Sequence, residues 1–84
     1  MNESIDTKLM QLADNKNKIS GTYYGSKFSG QVIKSRQNTV SYREEIWINL
    51  DNPIIKPGNY LDGGVIIIQA QGIEKRLHTI DGIL

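Results

Sequence analysis

The sequence predicts a mainly β domain: a small antiparallel barrel or strongly bent sheet with one N-terminal α-helix. Three observations lead there. Thirteen isoleucines among 84 residues weight the core toward β-branched side chains, which pack well on pleated surfaces. Three clusters rich in turn residues, Asp51-Asn52-Pro53, Lys56-Pro57-Gly58-Asn59 and Asp62-Gly63-Gly64, divide the second half of the chain into short pieces. Helical periodicity is confined to the first segment.

A single domain spanning 1–84 follows from the length, with a helix over 3–14 and a β-rich body over 18–84. A chain of this size buries roughly 60% of the surface its unfolded form exposes, so small domains often need an added support. Disulfides are excluded, because there is no cysteine. A structural zinc is disfavoured by the lone histidine, His78, since a closed site needs four soft or imidazole ligands. Self-association is the remaining support, and a homo-oligomer is expected.

The elements can be justified in order. Ile5, Leu9, Leu12 and Ala13 fall at i, i+4, i+7 and i+8, one face of a helix, with Ser4 or Asn2 as its cap and Glu3 and Asp6 at the positive end of its dipole. About ten helical residues are marginal alone, so this helix should dock over a sheet face or a barrel end. Ile19 to Tyr24 and Phe28 to Arg36 read as strands joined by the short turn Gly25-Ser26-Lys27. From Glu44 to Leu50 the alternation is clean: Ile46, Ile48 and Leu50 face one way, Glu45, Trp47 and Asn49 the other. Val65 to Ala70 is apolar on both faces, which suits a central strand or one covered by a subunit partner. Glu74 to Ile80 supplies a last strand.

Charge and motif content narrow the function. Ten Lys and Arg against nine Asp and Glu give a net charge of +1, which counts against a nucleic-acid coat. The acidic, polar start lacks the basic-then-apolar pattern of a secretory signal, and the longest apolar run, Val65–Ile68, is far short of a membrane span. A cytoplasmic protein without membrane contact is therefore expected. There is no nucleophile motif beside His78, and Glu44 and Glu45, adjacent in a strand, point to opposite faces. Metal-ligand clusters, phosphate-binding loops and dinucleotide fingerprints are absent from the sequence. The expectation is a non-enzyme without cofactor or metal.

Gly21 to Trp47 holds the richer chemistry. Tyr23, Tyr24 and Phe28 lie among glycines that would let a ligand approach the backbone. Adjacent tyrosines in a strand face opposite ways, so one of the two should offer its ring to a ligand. Arg36 and Arg43 bracket a polar loop containing Asn38 and Thr39, whose donors could enclose an anion. Guanidinium groups grip phosphates through paired hydrogen bonds and stack on bases. Trp47, on the polar face of its strand, reads as an interface residue, a ligand wall or a second core. Fold needs alone would also account for the glycines and the aromatics.

The pattern Gly21-x-Tyr23-x-Gly25-x-x-Phe28-x-Gly30-x-Val32-x-x-x-Arg36-x-x-Thr39-x-x-x-Arg43, followed by Leu50-Asp51-x-Pro53-Ile54, resembles a family of very small phage-encoded proteins. The family it resembles includes the sponge proteins that sequester cyclic-dinucleotide signals of bacterial immunity, the anti-CBASS type. The resemblance covers Gly21 to Ile54 and does not extend to the helix or the last strands. It implies an oligomeric, barrel-like protein that binds a cyclic nucleotide without cleaving it, holding bases and phosphates with the aromatic and arginine positions of the motif. Two other classes compete: a module that inhibits a host protein through Trp47 and the Val65–Ala70 strand, and a barrel that binds single-stranded nucleic acid.

Overall fold

The computed structural model describes residues 4–84. Helix α1 (Ile5–Asp14) leads into β1 (Lys18–Tyr23), β2 (Ser26–Gln37), β3 (Glu44–Leu50), the short strands β4 (Ile54–Lys56) and β5 (Tyr60–Asp62), β6 (Val65–Gln69), helix α2 (Ala70–Glu74) and β7 (His78–Ile83). Five strands form one antiparallel sheet in the order β6-β3-β2-β1-β7, and β4 and β5 form a separate hairpin. The sheet bends strongly but does not close, since β6 and β7 each pair on one side only.

Ser4 caps α1, its Oγ accepting the Thr7 amide at 3.1 Å. The expected alternative cap, Asn2, and Glu3 lie outside the described residues. Leu9, Leu12 and Ala13 are buried where α1 lies across β2 and β3. They meet Ile19, Val32, Ile46, Ile48, Ile66 and Ile68, all buried. Aliphatic side chains thus fill the space under the curved sheet, as the isoleucine content suggested.

The β1–β2 hairpin is tighter than its sequence suggested. Tyr23 pairs with Ser26, leaving Tyr24 and Gly25 as a two-residue loop with φ of 49° and 82°. Such loops need positive φ at both positions, because only then does their twist match that of the strands. Tyr24 is consequently a turn residue and escapes the alternation that would set it opposite Tyr23.

β2 serves two partners. Its first half pairs with β1 and its second with β3, and a bulge at Ile33 separates Val32↔Ile48 from Lys34↔Trp47. The extra residue resets the side-chain alternation, so Val32 faces the aliphatic core while Lys34 and Arg36 share the opposite face with Trp47 and Glu45.

Two strand expectations need correction. Val65–Gln69 is an edge strand rather than a central one: Ile66 and Ile68 are buried against β3, while Val65 and Ile67 stay partly exposed. Glu74 to Ile80 is no continuous strand, because α2 runs through Glu74 and β7 begins only at His78. The hairpin β4–β5 was hidden by its brevity, three residues a side.

The motif glycines serve the chain itself. A Cβ on Gly21 would sit 1.9 Å from the Thr79 carbonyl oxygen, and one on Gly30 would sit 2.5 Å from that of Asn49. At these two positions neighbouring backbone fills the space expected for a ligand. Gly21→Ala should therefore force β1 and β7 apart, destabilising by about 1–3 kcal/mol as overpacking does. Gly64→Ala, with nothing within 4 Å of its Cβ, should be nearly neutral. Urea denaturation of the two variants checks this, and equal midpoints would contradict the close approach.

Candidate functional site

Side chains opposite one another in a ladder share a face, and two such rows cross three strands here. One row is Arg36, Glu45 and Gln69; the next is Lys34, Trp47 and Ile67. Lys34 places its Nζ 3.9 Å from the centre of the Trp47 ring, a cation–π contact. The Trp47 Nε1–H donates to Glu45 Oε2 at 3.1 Å.

Glu45 organises this face. Its side chain is buried, with the residue only 4% exposed. Oε1 accepts from Asn38 Nδ2 at 3.0 Å, and Oε2 faces Arg36 Nε at 3.7 Å as well as Trp47. A buried carboxylate needs partners of this kind, because desolvation without them costs far more than a neutral polar group would. The three residues that satisfy it are held in turn. Arg36 keeps its outer end free, its side chain being 49% exposed.

A second wall stands opposite. His78 pairs with Tyr23 across β1 and β7, and their rings stack at 4.6 Å with planes 14° apart. The Tyr24 ring meets both edge-on, at 4.8 Å from each. Because Tyr24 lies in the turn, both tyrosines join one aromatic cluster, contrary to the opposed arrangement a strand would impose. His78, on the edge strand β7, is 5% exposed, and its Nδ1 has no hydrogen-bond partner. Gly72 in α2 makes room for it: a Cβ there would lie 2.4 Å from the imidazole Cδ2. Burial pushes the His78 pKa down, against a small opposing contribution from the Leu77 backbone. Burial also raises the Tyr23 pKa, keeping its hydroxyl protonated.

Between the walls lies a polar cavity of about 540 Å³, within the range of ligand sites. Tyr23, Tyr24, Arg36, Asn38 and Trp47 line it, all five named from sequence. Glu45, Gln69, Gln71, Lys75 and His78 line it too, and sequence reasoning missed them as site residues. Only ladder register could have found Gln69, and only the path of α2 the others on that side. A second cavity of about 430 Å³, between α1 and β7, is lined mainly by aliphatic residues such as Leu9, Leu12 and Ile80 and contains no aromatic ring.

Three expected site residues lie elsewhere. Phe28 is buried in the core. Thr39 is exposed on the loop after β2, and that loop does not wrap an anion: the Val40 and Ser41 amides both turn onto Asn38 Oδ1. Arg43 is a structural clamp. It bonds Asp6 of α1 through Nε at 3.0 and 3.2 Å, and Glu74 of α2 through Nη2 at 2.5 Å. Both carboxylates hold the guanidinium in its charged form, and Arg43 lowers the pKa of each in return.

Comparison finds no matching protein family, curated protein or solved structure. Among the described residues no group of three or more metal-ligating side chains converges, and no helix is long and apolar enough to cross a membrane.

The His78 shift fixes a pH dependence. A histidine whose folded pKa lies below its unfolded value of about 6.5 binds more protons when unfolded. Its contribution is therefore complete above that pH and is lost as pH falls below it. Urea midpoints should drop between pH 7.5 and 5.5, and His78→Gln should reduce the drop; an equal drop in both proteins would remove His78 as its cause. Loss of the Asp6 and Glu74 contributions belongs to lower pH, below about 4, where carboxylates protonate.

Proposed function

We propose that this protein binds and sequesters a nucleotide immune second messenger of the cyclic dinucleotide class, without cleaving it, as a phage counter-defence protein. One observation carries the reading: a polar cavity with Trp47 on one wall, Tyr23 and Tyr24 on the other, and Arg36 and Lys75 among its lining residues. Base stacking on aromatic rings contributes roughly 1–3 kcal/mol per base. Arg36, loosely held by Glu45, and Lys75 supply positive charge for phosphate in a chain whose net charge is only +1. Of the specified positions in the motif that resembles the sponge proteins, Tyr23 and Arg36 line the cavity; Tyr24 and Asn38 lie at its unspecified positions and Trp47 beyond it. Sequestration needs tight binding and abundance, not turnover, so the site requires no nucleophile.

Self-association belongs to the same proposal. The free edges of β6 and β7 carry exposed Val65, Ile67 and Ile83, and Ile67 also lines the cavity. A neighbouring copy seated on β6 would add to the cavity wall and bring a second set of cations near it.

A thermal-shift panel of cyclic dinucleotides and trinucleotides tests the reading. Ligand at 100 times its dissociation constant adds about 2.7 kcal/mol, a rise of about 10 °C or more in a domain this size. Arg36→Ala and Trp47→Ala should abolish the rise. Arg43→Ala should lower the melting temperature yet keep the rise, because it ties helices rather than ligand. The bound nucleotide should be recovered intact after denaturation, and light scattering should give a mass above 9.5 kDa. A flat panel would favour the host-protein module instead, acting through Trp47 and the exposed Val65 and Ile67 of β6.

A further inference from the structure

The five-stranded sheet ends in two edges, β6 and β7, and they are protected unequally. Edges are ordinarily guarded by a charge, a proline or a bulge, because unpaired N–H and C=O groups recruit other chains. β7 has two such guards, Asp81 and the register shift where it meets Ser20 and Gly21. β6 reads Val-Ile-Ile-Ile-Gln and runs in unbroken register with β3, without charge, proline or bulge.

One bond sets the hydrogen-bonding phase of β6. The Leu50 amide donates to the Gly64 carbonyl at 3.0 Å, which makes these two residues a hydrogen-bonded pair. Such pairs alternate along an antiparallel ladder. Ile66 and Ile68 therefore bond to β3, while the backbone groups of Val65 and Ile67 and the amide of Gln69 point away from it. Val65, Ile67 and Gln69 also share the face that carries Trp47 and Glu45, and Ile67 and Gln69 line the cavity.

This edge is complementary to itself. Rotation about a two-fold axis beside Ile67 brings that residue opposite the partner's Ile67, where the two exchange both backbone bonds. Val65 then falls opposite the partner's Gln69 and accepts from its amide. The half-exposed Val65 and Ile67 meet apolar or neutral side chains, and no like charges are opposed. We propose that two copies of this chain pair antiparallel through β6, joining their sheets into one, and that each copy extends the other's cavity. The Lys34–Trp47–Ile67 row continues into the partner's Ile67, and the Arg36–Glu45–Gln69 row into the partner's Val65. Each cavity thereby gains an apolar rim from its neighbour. The pairing gives the self-association proposed above an edge and a register, and it rests on that reading only for what the cavity holds.

Single cysteines test it, because the chain has none of its own. Hydrogen-bonded antiparallel partners lie about 5.5 Å apart between Cα atoms, within reach of a disulfide. Under mild oxidation Ile67→Cys should crosslink into a dimer and Ile83→Cys, on β7, should not. Val65→Cys and Gln69→Cys should each stay uncrosslinked alone and crosslink when mixed. Light scattering of the unaltered protein should give twice 9.5 kDa. Ile67→Pro should halve that mass yet keep a cooperative thermal transition, since the amide it removes makes no bond to β3. A monomeric unaltered protein, an Ile67→Pro protein that stays dimeric, or crosslinking through Ile83 instead of Ile67 overturns the pairing. These measurements use no nucleotide: an Ile67-linked dimer with a flat nucleotide panel removes sequestration and leaves the pairing standing, and nucleotide binding by a monomer does the reverse.

Discussion

One inserted residue governs how this chain distributes its chemistry. Ile33 forms the bulge in β2, and a bulge exchanges the two faces of everything beyond it. Phe28, Gly30 and Val32 face the core by ordinary alternation. Continued without interruption, the same alternation would drive Lys34 and Arg36 into that core, where unpaired cations are prohibitively costly. With the bulge, both emerge beside Trp47 and Glu45, and Ser35 takes the inward place opposite Ile46. The same strand can therefore hold the aliphatic core together at one end and furnish a polar wall at the other.

Glu45 fixes that wall once the bulge has aimed it. A carboxylate in this setting accepts up to about four hydrogen bonds, and its partners here come from the end of β2 and from its own strand. Removing any one of them would leave a buried acceptor less satisfied, at about 1–3 kcal/mol. Asn38, Arg36 and Trp47 are thereby oriented together rather than separately. On the far side, Arg43 performs a similar service for the helices: α1 and α2 are tied through one guanidinium, and α2 carries Gln71 and Gly72 of the cavity, with Lys75 as its C-cap.

Local patterns in the sequence were enough for α1, for β3 residue by residue, and for the Lys56–Asn59 turn, which the Asn59 amide closes onto the Lys56 carbonyl, because each depends on neighbours a few residues apart. Tyr23, Tyr24, Arg36, Asn38 and Trp47, all named from sequence, line one cavity. What escaped depends on distant pairings. Arg43 looked equivalent to Arg36, and only its 37-residue reach to Asp6 separates them. The burial of His78 follows from Tyr23, its ladder partner on β1, from Tyr24 in the turn and from Gly72 in α2, and none of these neighbours is visible in the local alternation of β7. Gln69 had no distinguishing neighbour at all until β3 and β6 were in register.

Trp47 is the sole tryptophan of the chain, and it stands in the cavity wall with a carboxylate on its indole nitrogen and an ammonium over its ring. Indole emission depends on the charges and the polarity around the ring. The protein thus carries its own optical reporter, with no second fluorophore of that kind to dilute the signal. Any molecule that displaces Lys34 from the ring face, or lays an aromatic surface against it, alters the light emitted by the whole population at once.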